Sequence, residues 1–396
     1  MSLARWIAAS IDALNATPLI FAIKRSFSNV YAARFANSPA SRLTYRLSKR
    51  LALTLALTTA VILSGCANSE DELEAIDKLV AEMSQRVVAT TEIERREDLH
   101  PRFNQAKTIA CLTGDFTVAS EIPDALKHGL FASPKTYPVT ARFANATKWD
   151  DSEKDLRGLS LQVSGIDGDT IWGEQGKQDF LLNSYPALFV ATPEEFLGFM
   201  RARQTGEKLS LAKFFLSPFD PHIRSLITVL KARKKHDSPL DIRYWSTVPS
   251  ALDSRLDNTD TMPEDANAVK YSVTPCSAYT TEKTVSPGEN QLRAAIGAHL
   301  EQAPACFEFG VQVQTDPNKM PLEDASVIWD EDDSPFVTVA TMHFNQQAFD
   351  TTESLEQCEQ QQFNPWQSLP SHTPMGRMNA VRKAIYATGA YQRANR

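Results

Sequence analysis

The run Cys111-Leu-Thr-Gly-Asp-Phe-Thr-Val118 opens a series of short segments that decide the fold. Residues 137–144, 158–163 and 179–183 share its richness in β-branched and aromatic residues, and Gly, Pro and Asp turns separate the segments. Such runs predict β-strands. Three further strands are predicted at residues 268–276, 305–314 and 337–344.

Apolar residues recur with helical spacing in three other segments, residues 192–203, 209–234 and 378–391. Strands at both ends of this region, with helices inserted between them, favour an α+β fold. Its core is predicted to be an antiparallel β-barrel, or an antiparallel sheet, with inserted and C-terminal helices around it.

Composition bounds the number of domains and the class of partner. A chain of 396 residues, 42% of them hydrophobic, is ample for one large core and too short for several complete domains. Residues 1–66 hold eight Lys or Arg and one Asp, so they carry +7, while the whole chain carries −7. Residues 67–396 therefore carry −14, and an acidic body argues against nucleic acid as a partner.

The basic N-terminal part has the layout of an export signal. Residues 46–50 are basic, residues 51–63 are apolar, and Leu63-Ser-Gly-Cys66 is similar to a bacterial lipobox, in which the cysteine is lipidated. We therefore expect residues 1–66 to be a targeting segment. A short buried helix or an uncleaved anchor would give the same apolar run.

The expected location is outside the cytoplasm. Because Ala67 rather than Asp follows Cys66, the lipid-anchored protein is expected at the periplasmic side of a Gram-negative outer membrane. Residues 67–98 are polar, with apolar positions at helical spacing, and predict a helix next to the tether. Residues 99–396 would then form the main domain.

Four cysteines remain in the exported part: Cys111, Cys276, Cys306 and Cys358. In an oxidising compartment they allow three pairings, and the sequence does not choose among them. Four buried free thiols are the alternative. None of the four has the spacing of a metal site.

The chemistry-bearing residues fall in two distant groups. Near the C-terminus stands Arg382-Lys-Ala-Ile-Tyr386, with Arg393 seven positions later. Taken alone, Arg-x-x-x-Tyr also fits a solvated helix face. The upstream group comprises Arg102 and Gln105 in Arg-Phe-Asn-Gln, Arg142 in Tyr137-Pro-Val-Thr-Ala-Arg-Phe-Ala-Asn145, Asn183 in Asp179-Phe-Leu-Leu-Asn-Ser-Tyr-Pro186, and Phe196.

These two groups resemble, in the same order, motifs of the catalase superfamily, over roughly residues 99–200 and 363–393. The chain is most similar to the small catalase-related branch, which has no extra C-terminal helical domain. The resemblance implies a haem b site. In it Tyr386 is the axial iron ligand and Arg382 keeps its phenolate ionised. The resemblance further implies that Arg102, Arg142 and Arg393 pair with the propionates, that Phe196 stacks on the haem, and that Asn183 is the distal asparagine.

The residue types suit these roles. Guanidinium groups pair bidentately with carboxylates such as propionates. A tyrosine, whose pKa is ordinarily near 10, ligates as phenolate only when ferric iron and a nearby cation favour the anion. Arg382 and Tyr386 are four positions apart and would share a helix face.

Two positions depart from the family pattern. Gln105 stands where catalases carry the catalytic histidine, and Ala144 where a serine steadies that histidine. Histidine can take up and return a proton near neutral pH, whereas glutamine can only donate or accept hydrogen bonds. Gln105 and Asn183 are thus the candidates for contact with substrate. His100 is either a substitute base or a surface residue at a helix end.

Two functions follow, and the first is preferred. The chain would be a weak catalase or peroxidase acting on hydrogen peroxide or organic hydroperoxides, or else a non-enzymatic haem-binding lipoprotein. A scaffold that lost its cofactor is a third reading, against which the retained Arg and Tyr residues speak. The expected partners are a peroxide, the membrane through a lipid anchor and, as an open option, further copies of the chain.

Overall fold

Nine strands form one antiparallel sheet in the computed structural model, which describes residues 74–96, 101–217, 222–258, 261–263, 265–276 and 286–395. All seven predicted strands are present, with small differences at their ends, and two short ones, β5 and β6, were not predicted. The strands are β1 (Lys107–Val118), β2 (Thr136–Asn145), β3 (Arg157–Ser164), β4 (Lys177–Asn183), β5 (Tyr244–Trp245), β6 (Ser250–Ala251), β7 (Ala268–Pro275), β8 (Ala305–Val313) and β9 (Val337–Phe344).

The sheet closes on itself. The strand order is β5-β4-β3-β2-β1-β9-β8-β7-β6, and β5 also pairs with β7 through Tyr244 and Val273. Eight strands therefore form a closed antiparallel barrel, and β6 adds to the edge of β7. The predicted α+β fold with an antiparallel β-barrel is confirmed, and the alternative of an open sheet is wrong.

Aromatic side chains fill the barrel. The rings of Phe116, Phe180 and Tyr271 each lie 4.8–5.5 Å from that of Phe309. The imidazole of His372 accepts from the backbone N–H of Leu130, and its other nitrogen lies 3.0 Å from the Tyr271 hydroxyl. Burial lowers the pKa of His372 to about 3, so the ring is neutral. An eight-stranded barrel is just wide enough to be filled in this way.

Seven α-helices surround the barrel in the described chain. They are α1 (residues 74–93), α2 (Pro193–Gln204), α3 (Lys208–Leu216), α4 (Ile223–Ala232), α5 (Gln291–Leu300), α6 (Thr352–Gln360) and α7 (Arg377–Ala394). The predictions at 192–203 and 378–391 are confirmed, and α1 lies within the predicted 67–98. Helices α5 and α6 were not predicted.

The segment 209–234, predicted as helical, contains two helices rather than one continuous helix. Helix α3 ends at Leu216, and α4 begins at Ile223. The reason is Pro218, because a proline disfavours helical backbone at the residue before it. The apolar spacing continues past this interruption, which is why periodicity alone did not reveal it.

Three helices share a second apolar core on the outside of the barrel. Met83 and Val87 of α1, Leu197 and Met200 of α2, and Val381 of α7 are buried together. This packing fixes α7, which carries Arg382, Tyr386 and Arg393, against the strands. No helix in the described part of the chain is long and apolar enough to span a membrane.

Two disulfides select one of the three pairings that the sequence left open. Cys111 of β1 bonds to Cys358 of α6, and Cys276, just after β7, bonds to Cys306 of β8. The first ties α6 to the barrel across 247 residues of chain. The predicted targeting segment 1–66 with Cys66, residues 67–73, residues 97–98 and His100 lie outside the described residues.

Gly114 generates a stability prediction. A Cβ at this position of β1 would lie 2.2 Å from the His343 carbonyl oxygen and 2.6 Å from Phe344 Cδ1, both on β9. Gly114→Ala should therefore lower the free energy of unfolding by about 1–3 kcal/mol through overpacking. Urea denaturation measures this. The control is Gly288→Ala, since nothing lies within 4 Å of a Cβ there; equal losses in both variants would contradict the close strand contact.

Candidate functional site

One cavity of about 590 Å³ lies between the outer barrel wall and the helices α1, α2, α3, α4 and α7. All eight side chains singled out in the sequence line it: Arg102, Gln105, Arg142, Asn183, Phe196, Arg382, Tyr386 and Arg393. They come from positions nearly three hundred residues apart. The structure thus brings them together, while the roles assigned to them stay predictions.

Strand register sets the polar end of the cavity. Arg142 of β2 stands opposite Ser160 of β3, and Gly158 of β3 stands opposite Asn183 at the end of β4. Gln105 lies just before β1, the strand on the other side of β2. The antiparallel order β1-β2-β3-β4 therefore places the two predicted contact residues, Gln105 and Asn183, next to each other.

Hydrogen bonds hold both the nitrogen and the oxygen of the Gln105 side-chain amide. Its Nε2 donates to Asn183 Oδ1 at 3.1 Å and to the Leu182 carbonyl oxygen at 3.4 Å. The Ser160 hydroxyl donates to Gln105 Oε1 at 3.2 Å. Sequence reasoning missed Ser160. Its hydroxyl is a hydrogen-bond partner for residue 105, which the alanine at position 144 cannot be.

The backbone at Gln105 is strained. Its φ of 58° is the one positive value of a non-glycine residue in the described chain, and such values cost free energy and often mark functional sites. Gly158 of β3 makes room for the Gln105 side chain, because a Cβ at this position would lie 2.2 Å from Gln105 Cδ. The Gln105 carbonyl oxygen in turn accepts a hydrogen bond from Arg142 Nη2 at 2.9 Å.

Three guanidinium groups form a cationic cluster, in which Arg142 is buried and Arg102 and Arg393 are partly buried. Arg142 is 1% exposed, and its Nε donates to Thr108 Oγ1 at 2.9 Å. Burial, with the Arg102 and Arg393 cations nearby, lowers the pKa of Arg142 well below its ordinary value. Burial and the Arg102 cation likewise lower the pKa of Arg393 to about 9. These shifts show that the charged forms are poorly solvated here, so the cluster favours anions.

One anion is supplied by the chain itself. Arg102 Nη1 lies 2.5 Å from Glu359 Oε2, and the Thr108 hydroxyl donates to the other oxygen of that carboxylate. Burial acts to raise the pKa of Glu359, but the Arg102 and Arg142 cations outweigh it, and the pKa falls below its ordinary value. Three arginines and one carboxylate leave a net charge of +2.

Sequence reasoning also missed Glu359. It directly follows Cys358, whose disulfide to Cys111 holds the end of α6 against β1. Arg102 Nη2 adds a hydrogen bond to the Gln361 carbonyl oxygen at 2.9 Å. The only signal in the sequence was an acidic residue beside a cysteine. This signal does not place Glu359 in the cluster until Cys111 is known to be the disulfide partner of Cys358.

Helix α7 presents the tyrosine with a cation beside it. Arg382 Cζ lies 5.4 Å from the centroid of the Tyr386 ring, as expected for neighbours on one helix face. Arg382 Nη1 donates to Asn379 Oδ1 at 2.9 Å. Asn379 is buried and donates to the Pro249 carbonyl oxygen at 2.7 Å. Asn379 thus fixes the Arg382 guanidinium beside the Tyr386 ring.

The remaining wall is aromatic. The Phe196 ring centroid lies 6.2–6.4 Å from those of Phe103, Phe189 and Phe199. Phe215 of α3 adds to this group. In the described chain no three His, Cys, Asp or Glu side chains are grouped so that they could hold a metal ion. The cavity therefore combines a phenol, a cationic edge, two amides and flat apolar surfaces.

Solved catalase structures share this fold. A bacterial catalase superposes with a TM-score of 0.56 at 16% sequence identity, over 77% of this chain and 60% of its own. A fungal catalase gives 0.58 at 14% identity over 78% and 62%, and catalase A from Saccharomyces cerevisiae gives 0.55 at 15% identity over 77% and 62%.

The likeness confirms the expected catalase-like fold and, at these identities, the fold alone. The chain spans only 60–62% of the length of these catalases. No family model and no curated protein matches the sequence significantly.

The cationic cluster generates a prediction for Glu359. Glu359→Gln removes the carboxylate that balances Arg102 and Arg142, and should lower the free energy of unfolding by about 3 kcal/mol, because buried cations are left unpaired. Urea denaturation at low ionic strength measures this. Glu356→Gln, at an exposed position of the same helix, is the control. Indistinguishable curves for the two variants would show that Glu359 does not balance the cluster.

Proposed function

We propose that this chain binds haem b in the cavity, with Tyr386 as the iron ligand, and that it is a catalase-related oxidoreductase acting weakly on hydrogen peroxide or organic hydroperoxides. The observation that carries the proposal is the convergence of Tyr386, Arg382 and the cationic cluster on one cavity of about 590 Å³ inside a catalase-like fold.

The residues fit haem b by charge. Arg102, Arg142 and Arg393, less the carboxylate of Glu359, leave +2, which two propionates would neutralise. Away from this cluster, Arg382 lies beside the Tyr386 ring and would stabilise the Tyr386 phenolate. The aromatic wall around Phe196 suits the flat faces of a porphyrin.

Ferric haem, when bound, supplies the redox chemistry, and the protein supplies binding, orientation and proton transfer. Gln105 Nε2 donates to Asn183 Oδ1 at 3.1 Å, and a peroxide would accept hydrogen bonds from the Asn183 amide N–H groups. Neither can take a proton from one peroxide oxygen and return it to the other. The general acid–base contribution, typically ~10²–10⁴-fold, is therefore missing, and slow turnover is expected.

A non-enzymatic haem-binding role is the second candidate. The network of Ser160, Gln105 and Asn183 supports it, because each amide already has a partner and none of the three side chains is ionisable near neutral pH. Such a pocket would bind haem and a small ligand without moving protons. The difference between the two candidates lies in residue 105.

The proposed location is the periplasmic side of a Gram-negative outer membrane, with the lipid on Cys66. This part of the proposal rests on Leu63-Ser-Gly-Cys66 in the sequence.

Haem binding is tested by the absorption spectrum. The purified protein should show a Soret band and the charge-transfer band of high-spin ferric haem, and Tyr386→Phe should lose most of the haem, because the phenolate is the proposed ligand. Tyr391→Phe is the matched control, since Tyr391 lies on the same helix and is 70% exposed. Normal haem content in Tyr386→Phe would refute the axial assignment.

The role of residue 105 is tested by restoring the base. Gln105→His with Ala144→Ser should raise oxygen evolution from hydrogen peroxide by at least roughly tenfold at equal haem loading. The serine is included because Ala144 stands opposite Gly158, the position at which a Cβ would meet the residue 105 side chain. Ala144→Ser alone is the control. No gain in the double variant would favour the non-enzymatic candidate.

A further inference from the structure

Helices α3 and α4 expose their apolar residues. Of the eight large hydrophobic side chains exposed on the described chain, five belong to these two helices: Leu209, Leu216, Ile223, Ile227 and Leu230, which are 46–67% exposed. The first two are seven positions apart, and the other three follow the i, i+4, i+7 pattern. Each set therefore forms a stripe along one face of its helix.

The same segments are strongly basic. Residues 67–396 carry −14 in total, yet residues 208–217 and 222–236 contain no Asp or Glu. They hold seven basic residues: Lys208, Lys213, Arg224, Lys231, Arg233, Lys234 and Lys235. Six of these, at 208, 213, 224, 231, 234 and 235, are exposed. A concentration of cations beside exposed leucine and isoleucine contrasts with the acidic remainder of the domain.

We propose that α3 and α4 dock on the surface of an anionic phospholipid bilayer. Amphipathic helices that combine an apolar face with Lys or Arg lie in the interface, with the apolar face ~5–10 Å deep among the lipids. Each Lys or Arg near an anionic leaflet adds attraction. The contact is separate from lipidation at Cys66 and does not depend on haem.

Charge also argues against a symmetric dimer through these helices. A two-fold contact would place the same patch of each copy against the other, so the exposed lysines would face lysines. Apolar exposure alone would fit such a dimer, whereas an anionic surface satisfies both the leucines and the lysines.

The docking surface adjoins the cavity. Leu211 and Phe215 of α3 and Val229 and Ala232 of α4 line the cavity, while the exposed stripes belong to the same two helices. An α-helix is ~10–12 Å thick with its side chains. Docking would therefore bring the cavity within about one helix diameter of the lipid.

The first test uses a fluorophore at a single position. In full-length protein carrying Cys66→Ser, the other four cysteines are paired, so Ile227→Cys can be labelled selectively with an environment-sensitive dye. Vesicles of phosphatidylcholine mixed with phosphatidylglycerol should shift its emission to the blue, and brominated lipid should quench it. The same dye at Ile93→Cys, on an exposed position of α1, should show neither effect. Binding through residues 1–66 alone would leave the dye at 227 in water and overturn the proposal.

The second test removes the surface. In the Cys66→Ser background, Leu216→Ser with Leu230→Ser should weaken binding to the mixed vesicles by about tenfold or more, since two leucines that would enter the lipid are lost. Lys213→Glu with Lys231→Glu should have a similar effect that high salt abolishes. Ile93→Ser with Ile328→Ser is the control, again at exposed positions. Unchanged vesicle binding, or variants that instead dissociate an oligomer of the chain, would overturn the proposal.

Discussion

The site depends on cations buried at the edge of an apolar cavity. Arg142 is almost fully buried, and this burial, together with the nearby Arg102 and Arg393 cations, lowers its pKa. Such charges are costly unless an anion balances them. Glu359 balances one of them, and the remaining +2 is what a dicarboxylate ligand would neutralise. The uncompensated positive charge of the cluster, rather than any single residue, is the property of this fold that supports the proposed haem.

Pairing of β1 with β2 and the Cys111–Cys358 disulfide assemble this cluster. The barrel places β1 beside β2, so that Thr108 and Arg142 meet, and the disulfide brings the end of α6 to the same place. Helix α7 then packs on the outside through Val381 and Ile385. Each contributor belongs to a different element, which explains why the cluster is formed only in the folded chain.

The polar end of the cavity is built around the amide of Gln105. Gln105 has a strained backbone, and the glycine at 158 makes room for its side chain. Its amide accepts a hydrogen bond from Ser160 and donates one to Asn183. The pocket is ordered for hydrogen bonding and lacks a group that can move a proton.

The sequence by itself determined seven of the nine described strands and the barrel class, because strand composition is a local property. Eight of the residues that line the cavity were predicted through the resemblance of two distant groups of residues to catalase motifs. The sequence did not reveal the break after Leu216, since the apolar period continues across Pro218. Only the tertiary structure decided the disulfide pairing, and with it the position of Glu359, because those contacts join residues about 250 positions apart. Ser160 as partner of Gln105 likewise required the register of β2 with β3, which no local pattern encodes.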